Sequence, residues 1–173
     1  IMQADKHSSA SMDGWSGGDV SLLSALVCTL LARLFQAIEA GAPWPSASLH
    51  IRAVSLPKGA ADTENPLSYR IIKVASILYR RWGTLRLGQL RPWVLSWSHA
   101  AHFAGVPGRS ATDAWYSSSL ELEHARLTHT PACAASVDIF KCYDQVNRPL
   151  IYELATLAGL PQGILAPYRT FLE

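Results

Sequence analysis

Asp138 lies in a short apolar run, residues 134–140, that favours β-structure and is long enough for one buried strand. Because side chains alternate along a strand, Ser136, Asp138 and Phe140 would share one face. A carboxylate among apolar neighbours is costly to desolvate unless it is paired or holds a metal ion. A second acid, Asp144, follows beyond the expected end of the strand. Two interpretations stay open: a metal-binding carboxylate, or a strand-end aspartate hydrogen-bonded to the following turn.

The segment 138–144, with the sequence DIFKCYD, resembles the first catalytic motif of reverse transcriptases. The resemblance is strongest to the enzymes of non-LTR retrotransposons and group II introns. It implies that Asp138 binds the catalytic Mg²⁺ ions with help from the Ile139 carbonyl. It also implies that Tyr143 excludes a ribose 2′-hydroxyl, with Cys142 beside it at the substrate. Two metal ions held by carboxylates stabilise the attacking and leaving oxygens of phosphoryl transfer.

A β-hairpin is predicted upstream of this motif. Its parts are a strand at 49–56, a turn-rich loop at 57–66 and a strand at 69–74. Lys58 lies on one side of the hairpin and Arg70 on the other. This arrangement is similar to the fingers of the same enzymes, which implies that Lys58 and Arg70 bind the triphosphate of an incoming dNTP. The family usually has a proline where this chain has Ile71.

The run 105–113 contains Gly105, Gly108, Arg109, Ser110 and Asp113 and resembles the second motif of the same family. In that motif a loop and its arginine approach the template or the nucleotide, which implies that Arg109 binds nucleic acid. Ser110 and Asp113 also fit a capping box for a helix that continues to residue 126. The two interpretations are compatible, because a serine can start a helix while the preceding arginine faces a substrate.

Helices are expected to hold these motifs in place. The strongest pattern covers residues 20–40, where a wide leucine-rich stripe predicts a buried face, capped by Asp19 or Ser21. Residues 75–97 should be helical with a bend or in two segments. Asn147 should cap a helix that ends at Gly159, and a last helix should begin at Pro161. The predicted buried face of the Asn147 helix consists of Leu150, Ile151, Leu154 and Leu157.

Composition describes a globular protein of one domain with a real core. The 173 residues are 49% hydrophobic and 16% charged, with a net charge of +2. Nine Lys or Arg but only two acidic residues lie between Arg52 and Arg109, a net of +7, which favours a polyanion on one face over an ordinary solvated helix face. Three cysteines without CxxC spacing predict reduced thiols and an intracellular protein. The most apolar stretch, 20–32, is too short to span a bilayer, so no membrane is expected.

The resemblance runs from Asp13-Gly14, similar to the element before the fingers, to Leu172. It implies an α+β chain: helix-rich fingers with a β-hairpin, plus an incomplete polymerase palm. The expected parts are an irregular leader at 1–18, a fingers-like region at 19–132 and the start of the palm at 133–173. In the full enzyme the partners would be an RNA template, a DNA primer, a dNTP and Mg²⁺.

The family's aromatic-x-Asp-Asp motif is not found in the sequence, so we expect this chain alone to be inactive. The Pro161-Gln162-Gly163 triplet imitates a later motif of the family but follows Asp138 too closely to be that motif. Two other functions stay open. One is a non-catalytic nucleic-acid-binding or scaffold domain that uses the basic block 52–109, and the other is a helical interaction domain without a ligand.

Overall fold

A computed structural model describes residues 7–59, 64–139 and 142–173, with the backbone alone at Tyr143 and Asp144. Its helices are α1 Gly17–Ser21, α2 Ala25–Glu39, α3 Ser46–Leu49, α4 Ile77–Trp97, α5 Ala111–Leu127, α6 Arg148–Leu157 and α7 Gln162–Leu172. Its strands are β1 Arg52–Pro57 and β2 Tyr69–Val74, which pair antiparallel. Single 3₁₀ turns occur at Pro66–Ser68 and Cys142–Gln145. Helices with an antiparallel sheet confirm the α+β class in this coarse sense.

The chain folds into two compact units. The first consists of Ile1–Gly88 with Pro161–Glu173, and the second of Gln89–Leu160. The division falls within α4. The predicted boundaries after residues 18 and 132 stay a prediction.

Aromatic side chains form the core of the first unit. The buried cluster consists of Phe35, Ile38, Trp44, Trp82 and Phe171. The rings of Tyr79 and Phe171 stack with their centroids 3.6 Å apart, and Trp44 meets Phe171 edge-on at 5.5 Å. The Trp44 indole nitrogen donates a hydrogen bond of 2.9 Å to the Pro167 carbonyl oxygen. Because edge-on and stacked aromatic pairs add to the burial of apolar area, α7 is an integral part of this core.

The predicted helix at 20–40 is divided into α1 and α2. Ser16 caps α1 through a capping box with Asp19, and Ser24 caps α2. The expected caps at Asp19 and Ser21 were therefore wrong, although Asp19 takes part in the box. Ser24 interrupts the helix because its side chain accepts a hydrogen bond from the Val27 backbone N–H, which favours a helix start at this point.

The apolar residues of this region are buried at its amino end, at Val20, and towards its carboxyl end. Phe35 and Ile38 are buried, whereas Leu22, Leu26 and Leu30 are 85%, 69% and 52% exposed. The prediction of a fully buried face was wrong for those three leucines. A periodic pattern determines which residues share a helix face, but the rest of the fold determines what covers that face.

The hairpin is confirmed. β2 has the predicted bounds, and β1 begins at Arg52 instead of residue 49. Residues 60–63 of its predicted loop lie outside the described residues. The helix that follows, α4, is a single helix that includes Pro92, so the alternative of two segments was wrong.

The second unit contains α5, α6 and the end of α4. Its buried apolar residues in the described structure are Val94, Val106 and Tyr152. The capping box of Ser110 with Asp113 and the cap at Asn147 are both confirmed. The predicted burial on α6 was wrong, because Tyr152 is its buried residue. The four predicted residues, Leu150, Ile151, Leu154 and Leu157, are 50%, 46%, 50% and 81% exposed.

The predicted buried strand at 134–140 is not formed in the described residues. Residues 131–139 are all exposed and lie outside the helices and strands, with Val137 at 86% and Ile139 at 62% exposure. Phe140 and Lys141 lie outside the described residues. A buried strand needs a neighbouring strand to pair its backbone groups. The sheet that the structure describes contains β1 and β2 alone, which belong to the other unit.

Candidate functional site

Lys58 and Arg70 lie on one face of the hairpin. The register pairs Leu56 with Arg70 and Pro57 with Tyr69, and the Lys58 backbone N–H donates a 2.8 Å hydrogen bond to the Ser68 carbonyl oxygen. Residues opposite each other share a face, as do residues two apart on one strand. Lys58 and Arg70 are therefore diagonal neighbours, a relation that places backbones roughly 7–8 Å apart.

Both cations reach solvent. Lys58 and Arg70 are exposed, and the Lys58 ammonium donates a 3.0 Å hydrogen bond to the Leu67 carbonyl oxygen. An ammonium has three donors, so two remain for another acceptor. Both side chains are exposed and therefore accessible in their charged form. A neighbouring lysine and arginine of this kind can bind adjacent oxygens of a polyphosphate.

The same register gives this face a third cation, which the sequence had not singled out. Arg52 pairs with Val74 and therefore lies on the Arg70 face, near the other end of the hairpin. Lys73 pairs with Ala53 and lies on the opposite face. Arg52 is an even number of residues from Lys58, and such residues share a face of a strand. The sequence could not show that Arg70 lies on the same face, because that depends on the register of the two strands.

Two cations of the predicted basic block bond within the first unit. Arg80 donates to Ser8 and Ser9. Arg86 forms an ion pair with Glu39, which also accepts a 2.7 Å hydrogen bond from the Trp82 indole nitrogen. Glu39 offsets the charge of Arg86, and Arg80 uses donors within the unit, so these two guanidinium groups are less available to a polyanion than the sequence count suggests.

Arg109 holds a turn in the second unit. One of its terminal nitrogens donates to the carbonyl oxygens of His99, Ala100 and His102, at 2.8 Å for His102. The side chain is half-buried. A guanidinium has five donor hydrogens, so this bonding leaves others for a ligand. The predicted contact of Arg109 with nucleic acid stays a prediction.

The remaining predicted residues also belong to the second unit. Asp138 and Ile139 are exposed in the segment before the 3₁₀ turn, and Cys142 begins that turn as an exposed free thiol. The backbone of Tyr143 lies within the turn. The substrate roles of Cys142 and Tyr143 stay predictions.

The predicted magnesium site stays a prediction. Among the described residues, no three His, Cys, Asp or Glu side chains lie close enough to share a metal ion. Mg²⁺ requires near-octahedral oxygen coordination, and a two-metal site needs several carboxylates. Asp138 and the Ile139 carbonyl supply too few ligands, so the ions would need others from outside the described residues.

The chain matches no protein-family model and no curated protein. Among the described residues, no helix has the length and apolarity that crossing a membrane requires.

Proposed function

We propose that this chain is the fingers and the first part of the palm of a reverse transcriptase. In the longer enzyme the reaction would be template-directed addition of dNTPs to a primer 3′-hydroxyl on an RNA template. The observation that carries the proposal is the pairing of exposed Lys58 and Arg70 on one hairpin face, in the order that the family resemblance implies.

A triphosphate suits this pair better than a single phosphate does. Two cations separated by a strand diagonal can contact oxygens of different phosphates, and Arg70 can bind two oxygens at once. The two ammonium donors of Lys58 that the Leu67 carbonyl does not use can bond to a charged acceptor, which forms a stronger hydrogen bond than a neutral one does. In the longer enzyme Asp138 would lie at the catalytic centre, Arg109 near the template and Tyr143 at the sugar.

Titration of the chain with dATP tests this function. We expect Lys58→Ala and Arg70→Ala each to weaken dATP binding by roughly three- to tenfold, because each removes charge-assisted hydrogen bonds. Affinity that is unchanged in both variants would contradict the proposal. A primer-extension assay of the isolated chain should show no nucleotide addition.

A non-catalytic RNA-binding domain is the second candidate. It is favoured by three exposed cations that take no part in the triphosphate site of Lys58 and Arg70. They are Arg52, Lys73 and Arg91. RNA binding that weakens steeply with salt would support it, provided that Asp138→Ala has no effect and dATP does not bind. Binding of dATP with Mg²⁺ that Asp138→Ala abolishes would instead support the polymerase function.

A further inference from the structure

The leader strap, defined as residues 8–13, crosses the junction between β2 and α4. Ser11 is only 6% exposed. Its hydroxyl lies 2.6 Å from the carbonyl oxygen of Val74, the last residue of β2, and 3.1 Å from that of His50, shortly before β1. One buried side chain therefore links both strands at the end of the hairpin farthest from its loop.

Asp13 extends the leader strap to the start of α4. Its carboxylate accepts a 2.6 Å hydrogen bond from the hydroxyl of Ser76, which is fully buried. The Ser76 oxygen accepts a 3.1 Å hydrogen bond from the Leu78 backbone N–H. A charged acceptor strengthens such a bond, and linked hydrogen bonds polarise one another. Asp13 thus acts on the first turn of α4 through a buried hydroxyl.

Arg80 fixes the other end of the leader strap. Its two terminal nitrogens donate to the Ser8 hydroxyl and, at 2.6 Å, to the Ser9 carbonyl oxygen. The leader strap is therefore bonded to Arg80 of α4 at one end, to Ser76 just before α4 at the other end, and to the base of the hairpin in its middle.

The strand residues of the hairpin are largely exposed to solvent. Nine of its twelve strand residues are exposed, and the other three are half-buried. A two-stranded hairpin without a packed face is only marginally stable.

We propose that the leader strap sets the direction in which the hairpin projects from α4. Ser11 and Asp13 are then positioning residues for Lys58 and Arg70. The triphosphate that these two cations would bind rests on the proposed function. Arg70 is four residues from Val74, roughly 13 Å along a strand. A tilt of about 10° at the base would move Arg70 by roughly 2 Å, enough to break a hydrogen bond.

The test compares Asp13→Ala and Ser11→Ala with Asp19→Ala in the 173-residue chain. Asp19 is a matched control, because its carboxylate accepts hydrogen bonds from Ser16 within the capping box at the start of α1. Those bonds from Ser16 lower the pKa of Asp19. Amide hydrogen exchange of β1 and β2 measures the mobility of the hairpin. Titration with inorganic triphosphate measures the affinity of the site formed by Lys58 and Arg70. Tryptophan fluorescence verifies that each variant retains its core.

We expect Asp13→Ala to speed exchange of the β2 amides by roughly fivefold and to weaken triphosphate binding several-fold. Asp13→Asn retains an acceptor oxygen and should restore most of the protection, while Asp19→Ala should affect α1 alone. Ser11→Ala removes a single hydroxyl, and it replaces Asp13→Ala in both measurements if the Asp13 variant does not fold.

Hairpin exchange that is the same in the Ser11, Asp13 and Asp19 variants would overturn the leader strap, whatever the affinity for triphosphate. Faster exchange in the Ser11 and Asp13 variants, with unchanged triphosphate binding, would overturn their role as positioning residues. A wild-type chain that binds no triphosphate would contradict the proposed function instead, and faster hairpin exchange would still support the mechanical role of the leader strap.

Discussion

His129 has the backbone conformation that glycine usually adopts at a helix end. Among the described residues it is the one non-glycine with a positive φ, at 53°. The Thr130 N–H donates to the Ala125 carbonyl oxygen and the His129 N–H to that of Arg126, the pattern of a Schellman motif. α5 therefore ends with a conformation that disfavours a side chain.

We predict that His129→Gly raises the free energy of unfolding by about 0.5 kcal/mol. The relief of the left-handed conformation should exceed the entropy that glycine adds to the unfolded chain. Urea unfolding measures the change. In the control, His124→Gly within the same helix should lower stability by about 1 kcal/mol. A destabilised His129→Gly variant would show that the histidine side chain stabilises the turn.

Helix ends could be predicted from single residues only where the residue is of a type that commonly caps or ends a helix. Gly159 was expected to end α6, and its φ of 78° agrees. Ser110 and Asn147 were identified as caps because their side chains bond to backbone within their own turn. His129 could not be identified, because a histidine does not usually mark a helix end. Ser11 could not be assigned either, since its acceptors are 39 and 63 residues away.

At the scale of elements, Glu39 joins α2 to α4. Its carboxylate accepts a 2.8 Å hydrogen bond from an Arg86 terminal nitrogen and another from the Trp82 indole. The Glu39 and Arg86 side chains are each only 20% exposed. A partly buried carboxylate with several donors contributes more than a surface ion pair.

Glu39→Ala should lower the free energy of unfolding by about 2 kcal/mol, because it leaves the Arg86 charge without its carboxylate. Thermal unfolding followed by tryptophan fluorescence measures the loss. Glu173→Ala is the matched control, because Glu173 pairs with Arg169 where the side chains are 46% and 59% exposed. That change should be below about 0.5 kcal/mol. Equal losses in the two variants would contradict a special role for Glu39.

Elements were predicted better than their burial. Periodicity identified α2, α6, α7 and the hairpin, because each pattern is local. It placed Leu26 and Leu154 inside the protein, yet both are exposed. The segment 134–139 has β-prone residues but no described partner strand. Strand formation depends on pairing across the chain, which a single window of sequence cannot reveal.

At the scale of the whole molecule, α7 returns the end of the chain to the core of the first unit. Trp44 and Pro167 are 123 residues apart and share a hydrogen bond. Sequence periodicity predicted that α7 exists but not that Phe171 stacks on Tyr79. Contacts of this range depend on the complete topology, so they could be recognised only in the structure.

Phe171→Ala should destabilise the first unit by about 3 kcal/mol, because it leaves a cavity beside Trp44 and Tyr79. The Tyr168→Ala control removes another aromatic ring from α7, where the residue is 40% exposed, and should cost about 1 kcal/mol or less. Calorimetric unfolding of both variants provides the comparison. A small effect at Phe171 would mean that α7 does not complete the core.

The most direct test of the proposed function is a double-mutant cycle for dATP binding on the two faces of the hairpin. Arg70 and Lys73 are both exposed on β2 but lie on opposite faces, and Lys58 shares the Arg70 face. We expect Arg70→Ala to weaken dATP binding by roughly tenfold and to be coupled to Lys58→Ala, whereas Lys73→Ala should change affinity less than about twofold without coupling. Equal, uncoupled effects at Arg70 and Lys73 would indicate diffuse charge attraction and contradict a triphosphate site.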